Sequence, residues 1–131
     1  MRVLGFHHLA IQCRDPDAVA AFYRDVLGLP EQARHLREDG SVRSIWLTLP
    51  DRGFLALEVC AQAPPEEGFR FERPGLYLIA LRIDRGDRAA VEAELAARGV
   101  EIVHRTRWTI YVRDPEGNRV GLSHHPHDPI D

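Results

Sequence analysis

From Phe6 to Cys13, the apolar residues Leu9, Ile11 and Cys13 alternate with His8, Ala10 and Gln12. That is the period of a strand with one face against a core. The period then changes. Val19, Phe22, Tyr23 and Val26 follow i, i+3, i+4, i+7 spacing, which makes one apolar stripe on a helix. Asp15 is a candidate N-cap, and Pro16 suits the first helical position, where its missing N–H would have been unpaired. Gly28 supplies the stop. The stripe needs a partner, and the Leu9, Ile11 and Cys13 face is the nearest. His8, Ala10 and Gln12 are therefore expected on the opposite, open side. Strands are predicted over about Glu31–Arg37, Val42–Leu49 and Phe54–Cys60, with Asp39-Gly40 and Pro50-Asp51-Arg52-Gly53 as the turns between them. In the last strand Glu58 is a carboxylate set among apolar residues. Left unpaired it would be costly, so it should face a wet cavity, a cation or a metal.

The alternation breaks at Ala61-Gln62-Ala63-Pro64-Pro65-Glu66-Glu67-Gly68. This reads as a linker of about 61–74, between a first module of about 6–60 and a second of about 75–123, with a tail at 124–131. The second module opens with a strand over Gly75–Ile83. A helix over Arg88–Arg98 follows, with Asp87 as its cap, Val91 and Leu95 as its apolar positions and Gly99 as its end. Strands near Val100–His104, Trp108–Val112 and Arg119–Ser123 come next. The last two are joined by Asp114-Pro115-Glu116-Gly117-Asn118, a type I turn with a bulge. His8, Ala10, Ile11 and Ala20 lie 70 positions before Leu78, Ala80, Leu81 and Ala90, so the module repeats. Neither half buries a sheet face alone. The prediction is one α+β domain over 1–131: two tandem βαβββ modules with outer helices and a concave mixed β-sheet cleft. Such a cleft is the default place for a small-molecule ligand.

Composition narrows the partners. A net charge of -3 gives no general electrostatic reason to bind nucleic acid or anionic lipid, and no apolar run reaches the length of a membrane span. Without a signal-like N-terminal segment, and with Cys13 and Cys60 both inside apolar strand patterns, the expectation is a cytoplasmic protein with reduced cysteines. Gln12 and Arg82 occupy matched strand ends on the inferred cleft face, where Arg82 would favour an anionic ligand. Trp46 and Trp108 offer flat walls for a ring-bearing ligand, or fill the core between modules. Arg105 and Arg107 grip a carboxylate or phosphate, or form a solvated face. His124, His125 and His127 are either replacement metal ligands or part of a terminal tail. His7 is expected on the face opposite His8.

His8-Leu9-Ala10-Ile11 with Asp15, Ala21-Phe22-Tyr23-Arg24-Asp25-Val26-Leu27-Gly28-Leu29, and Asp114-Pro115-Glu116-Gly117-Asn118 together resemble the vicinal oxygen chelate superfamily. That group holds glyoxalase I, bleomycin-resistance proteins, fosfomycin-resistance enzymes and extradiol dioxygenases. The resemblance implies that His8 and Glu58 are the catalytic and metal-binding residues, with Leu78 and Gly121 at the other two ligand positions. It implies a reduced site for a divalent ion (zinc, nickel, manganese or iron) and a lyase, isomerase or oxygenase acting on a small molecule. The alternative it implies is a bleomycin-resistance-like protein that sequesters a drug or metabolite without metal. It also implies a homodimer.

Overall fold

A computed structural model of the chain describes residues 1–60, 71–72 and 74–130. The linker expected at 61–74 falls largely outside them. The chain forms two compact units, Met1–Pro64 and Pro65–Asp131. Each runs strand, helix, three strands, as the repeat predicts.

In the first unit, β1 (His8–Cys13) leads into α1 (Pro16–Ala21), followed by β2 (Glu31–Leu36), β3 (Val42–Thr48) and β4 (Phe54–Val59). The Asp15 side chain accepts from the Ala18 N–H at 3.1 Å, with Pro16 in the first turn, as expected of a cap. The helix does not stay regular. Phe22–Val26 continue it as a π-helical turn, which the apolar spacing does not announce. Gly28 then turns left-handed at φ +76° and Leu29 N–H donates to the Tyr23 carbonyl at 2.9 Å, closing the helix. The sheet order is β1-β4-β3-β2, with β1 parallel to β4 and the other pairs antiparallel. Val19, Tyr23, Ile45, Leu47, Leu57 and Cys13 are almost wholly buried. They form the core between helix and sheet, and His8, Ala10 and Gln12 stay exposed on the other face. Neither cysteine is in a disulfide.

The second unit repeats the plan with β5 (Ile79–Arg82), α2 (Arg88–Ala97), β6 (His104–Arg105), β7 (Thr109–Arg113) and β8 (Arg119–Ser123) in the order β5-β8-β7-β6. β5 is shorter than the expected 75–83. It is an edge strand, and its one partner β8 pairs only Val120–Ser123 with it. Asp87 stands at the N-cap position of α2, as expected. Asp84 accepts from the Gly86 N–H at 2.7 Å and starts a 3-10 turn, Arg85–Asp87, ahead of α2, whereas Asp87 caps nothing with its side chain. Gly99 ends α2 as predicted, at φ +71°, with Val100 N–H on the Leu95 carbonyl at 2.9 Å. Between β7 and β8, buried Asp114 accepts from the N–H groups of Glu116 and Asn118, both at 2.9 Å, and fixes the predicted turn. Among the described residues no helix is long and apolar enough to cross a membrane.

Candidate functional site

On the open face of the first sheet the register lines up a row of rings. His8 sits directly across from Phe54 and stacks on it, with centroids 4.7 Å apart and planes 5° apart. Phe54 stacks on Trp46 at 4.5 Å, and Trp46 meets His35 edge-on at 4.5 Å. The row crosses all four strands. His35 Nε2 and Trp46 Nε1 are buried in it without a hydrogen-bond partner among the described residues. His7 joins this face, contrary to expectation. It precedes β1 and so escapes strand alternation, placing its Nδ1 2.8 Å from His8 Nδ1 and its ring edge-on to Phe54.

Glu58 lies at the other end of this face, across from Gln12 on one side and Ser44 on the other. Its Oε1 accepts from the Ser44 hydroxyl at 3.0 Å. The structure does not bring His8 and Glu58 together. His8 pairs with Phe54, and Glu58 is four residues further on, about 13 Å at roughly 3.3 Å per residue.

The corresponding offset in the second unit is two residues. Extending the β5–β8 register by one residue sets Leu78 across from Arg119, two residues before Gly121. By the same step in the first unit, the counterpart of Gly121 is Ala56, and Glu58 lies one pleat beyond it. Of the four positions that the resemblance treats as ligands, His8 and Glu58 carry donors, which the register keeps apart, and Leu78 and Gly121 carry none. A side chain at Gly121 would also be crowded, since a Cβ there would lie 3.2 Å from Thr109 Cγ2 and 3.4 Å from Leu78 Cδ1. Among the described residues, no three His, Cys, Asp or Glu side chains gather as a metal cluster. This donor set does not fit a protein-held divalent ion, which wants three or four ligands.

The second sheet's open face holds a cavity of about 530 Å³. Its lining includes Phe71, Tyr77, His104, Tyr111, Arg113 and Arg119. The Arg119 guanidinium carbon sits 4.2 Å over the Tyr111 ring and 5.5 Å from the Phe71 and Tyr77 rings, and its Nη1 donates to the Tyr77 hydroxyl at 2.9 Å. Sequence reasoning missed this cluster. The signal was present in the correctly predicted 119–123 strand, whose alternation puts Arg119 on the open face.

Arg82 is exposed at the end of β5, on the open-face parity. Trp108 serves the chain end: its indole N–H donates to Asp128 Oδ1 at 3.2 Å, and its ring meets His125 edge-on at 5.1 Å. Arg107 forms an ion pair with the same Asp128 carboxylate at 3.0 Å. His124 is 3% exposed and holds the tail, with Nδ1 2.6 Å from the His127 carbonyl. Arg88 Nη1 lies 3.1 Å from His124 Nε2. A guanidinium only donates, so Nε2 is the acceptor and Nδ1 carries the hydrogen.

Two units, each a mixed four-stranded sheet with a helix between its first and second strands, define the class of fold. The chain belongs to the Glyoxalase/Bleomycin resistance protein/Dioxygenase superfamily, which matches it over residues 5–122. Solved structures agree. A glyoxalase/dioxygenase from Nostoc punctiforme is similar at 22% identity and a TM-score of 0.77, covering 97% of this chain and 92% of that one. A glyoxylase/bleomycin resistance protein/dioxygenase domain from Frankia sp. EAN1pec is 20% identical with a TM-score of 0.75, covering 93% and 98%. A FosX mutant from Listeria monocytogenes, complexed with Mn(II) and a dihydroxypropylphosphonic acid, is 16% identical with a TM-score of 0.70, covering 93% of each chain. At these identities the likeness is one of fold. No curated protein matches the chain.

Proposed function

We propose that this chain binds a small organic molecule through its side chains and without a protein-held metal ion, in the manner of a sequestering member of its family. One observation carries the reading: the β1–β4 register holds His8 and Glu58 four residues apart. Metal-dependent lyase or oxygenase chemistry needs converging donors and an open coordination position. Here the open faces offer rings and single polar groups instead. His8, Gln12, Trp46 and Glu58 serve as ligand contacts in the first unit, and Arg82 and the cavity residues serve in the second. The homodimer belongs to the same proposal and is read by light scattering.

The test is elemental analysis of untagged protein after incubation with zinc, nickel, manganese and ferrous iron, beside His8→Ala. The expected result is far less than one equivalent of metal in either protein. Stoichiometric metal that disappears in His8→Ala would overturn the proposal and return the chain to the metal-dependent enzymes.

A further inference from the structure

We propose that the open face of the first unit binds a small arylalkyl ammonium, with Glu58 and Gln12 holding the ammonium group and the ring row holding the aromatic end. This rests on the reading above and names the ligand class of that site.

The first argument is charge. Glu58 is half-buried. Its Oε1 accepts from the Ser44 hydroxyl at 3.0 Å, and among the described residues the carboxylate is in no ion pair. The open-face positions of the four strands carry no lysine or arginine. Arg34 lies across from Ile45 on the helix face, where Asp17 and Glu31 already pair with it, and Arg43 alternates with Ser44 onto that same face. A carboxylate taken partly out of water wants a cation or several donors. The fold does not require the charge. Ser123 of the second unit is across from Arg82 and Thr109, as Glu58 is across from Gln12 and Ser44. There two hydroxyls suffice, with Thr109 Oγ1 donating to Ser123 Oγ at 2.8 Å.

The second argument is the match of donors to acceptors. Gln12 is exposed beside Glu58, and its side chain makes no hydrogen bond among the described residues. An ammonium has three N–H donors. The second Glu58 oxygen and the Gln12 amide oxygen accept two of them, and water takes the third. Trp46 faces Ala56, which makes it the diagonal neighbour of Glu58 across β3 and β4. An indole beside the bound nitrogen adds a cation–π attraction.

The third argument is space. His8 and Gln12 are about 13 Å apart along β1 at roughly 3.3 Å per residue, and on the open face only the exposed Ala10 lies between them. On β4 only Ala56 separates Phe54 from Glu58 on this face. The face is therefore low between the stacked His8–Phe54 rings and the Gln12–Glu58 pair. A ring joined to its nitrogen by two carbons fits that interval, with ring against ring at one end and charge against charge at the other.

The experiment titrates the full ¹⁵N-labelled chain with 2-phenylethylammonium, with neutral 2-phenylethanol and with anionic 3-phenylpropanoate. The ammonium is expected to move the Ala10, Gln12 and Glu58 amides and the Trp46 indole N–H, and to bind roughly tenfold tighter than either comparator. Glu58→Gln keeps an acceptor for Ser44 and is expected to remove that preference. Ala10→Leu, at an exposed position, is expected to weaken the ammonium and the alcohol together. The alcohol or the carboxylate binding as tightly as the ammonium would overturn the inference. So would a preference unchanged in Glu58→Gln, or an affinity untouched by Ala10→Leu. Stoichiometric metal lost in His8→Ala, beside an intact Glu58-dependent preference, would sink the metal-free reading and leave this inference standing. Absence of both metal and preference would do the reverse.

Discussion

Replacing Arg88 should loosen one wall of the second unit's cavity. From the first turn of α2, Arg88 Nη2 donates to the Thr106 carbonyl at 2.9 Å, and Nη1 donates to the Arg107 carbonyl at 3.0 Å and to His124 Nε2 at 3.1 Å. One planar group thus ties the helix, the loop before β7 and the C-terminal tail together. Thr106 is a lining residue of the cavity, so the tie reaches the candidate site. The Arg88 side chain is 16% exposed, so solvent replaces these bonds poorly. A hydrogen bond from a charged donor contributes about 1.5–3 kcal/mol, and three that share one group do not add in full. Arg88→Ala is therefore expected to cost about 2–4 kcal/mol, read as a lower urea midpoint with an unchanged slope. Arg88→Lys should recover less than half of the loss, because an ammonium is a point charge and cannot span three acceptors. Amide hydrogen exchange should accelerate at Trp108 and Thr109 in both variants. A loss under about 0.5 kcal/mol, or full recovery with lysine, would refute the clamp.

Three smaller perturbations probe the turns and the crowded site. Gly121→Ala places a methyl 3.2 Å from Thr109 Cγ2, and overpacking of this kind costs about 1–3 kcal/mol, so a thermal melt should show the loss and the Tyr111 ring resonances should shift. Arg52 holds φ +79°, a left-handed conformation that costs a non-glycine residue roughly 1–2 kcal/mol, and Arg52→Gly should raise stability by about 0.5–1 kcal/mol after glycine's extra freedom in the unfolded chain is set against it. The Asp39 carboxyl is held below the usual carboxylate range, first by the Ser41 hydroxyl and then by the Ser41 N–H. A depressed folded value means its contribution is present above the unfolded carboxylate value and is lost as pH falls through the folded one. The stability gap between wild type and Ser41→Ala should accordingly be larger at neutral pH and shrink in acid, as urea titrations at the two pH values would read.

The fold was legible because its signals are local. Alternation placed Leu9, Ile11 and Cys13 on one face of β1, and the i, i+3, i+4 stripe and Gly28 placed the helix. Asp114 and Gly117 set a turn in which Asp114 accepts from the N–H groups of Glu116, Gly117 and Asn118, all within five residues. What failed depended on a neighbour. The end of β5 is set by the length of β8, and α2 starts at Arg88 as expected, but the side-chain capping bond is made by Asp84, three residues ahead of Asp87, at the 3-10 turn that precedes the helix. The candidate site was hardest to see. Leu57-Glu58-Val59 has the local look of a ligand motif, but whether its carboxylate meets His8 depends on the parallel β1–β4 register. Parallel strands are joined by a long crossover, so no turn fixes their register in the sequence.

The β1–β4 register decides which side chains of the open face can meet. A shift of two residues keeps a side chain on the same face and moves it along the strand by almost 7 Å, about 3.3 Å per residue. Glu58 therefore stays on the open face and keeps its polar partner Ser44, but it is removed from the reach of His8. In the second unit the same backbone positions have been filled differently: Leu78 and Gly121 carry no donor, and Arg119 stands where the first unit has Phe54. The row His8–Phe54–Trp46 stacks ring on ring, whereas Arg119–Tyr111 places a guanidinium on a ring at the equivalent place. The planar Arg119 guanidinium thus lies in the unit where Leu78 and Gly121 carry no donor.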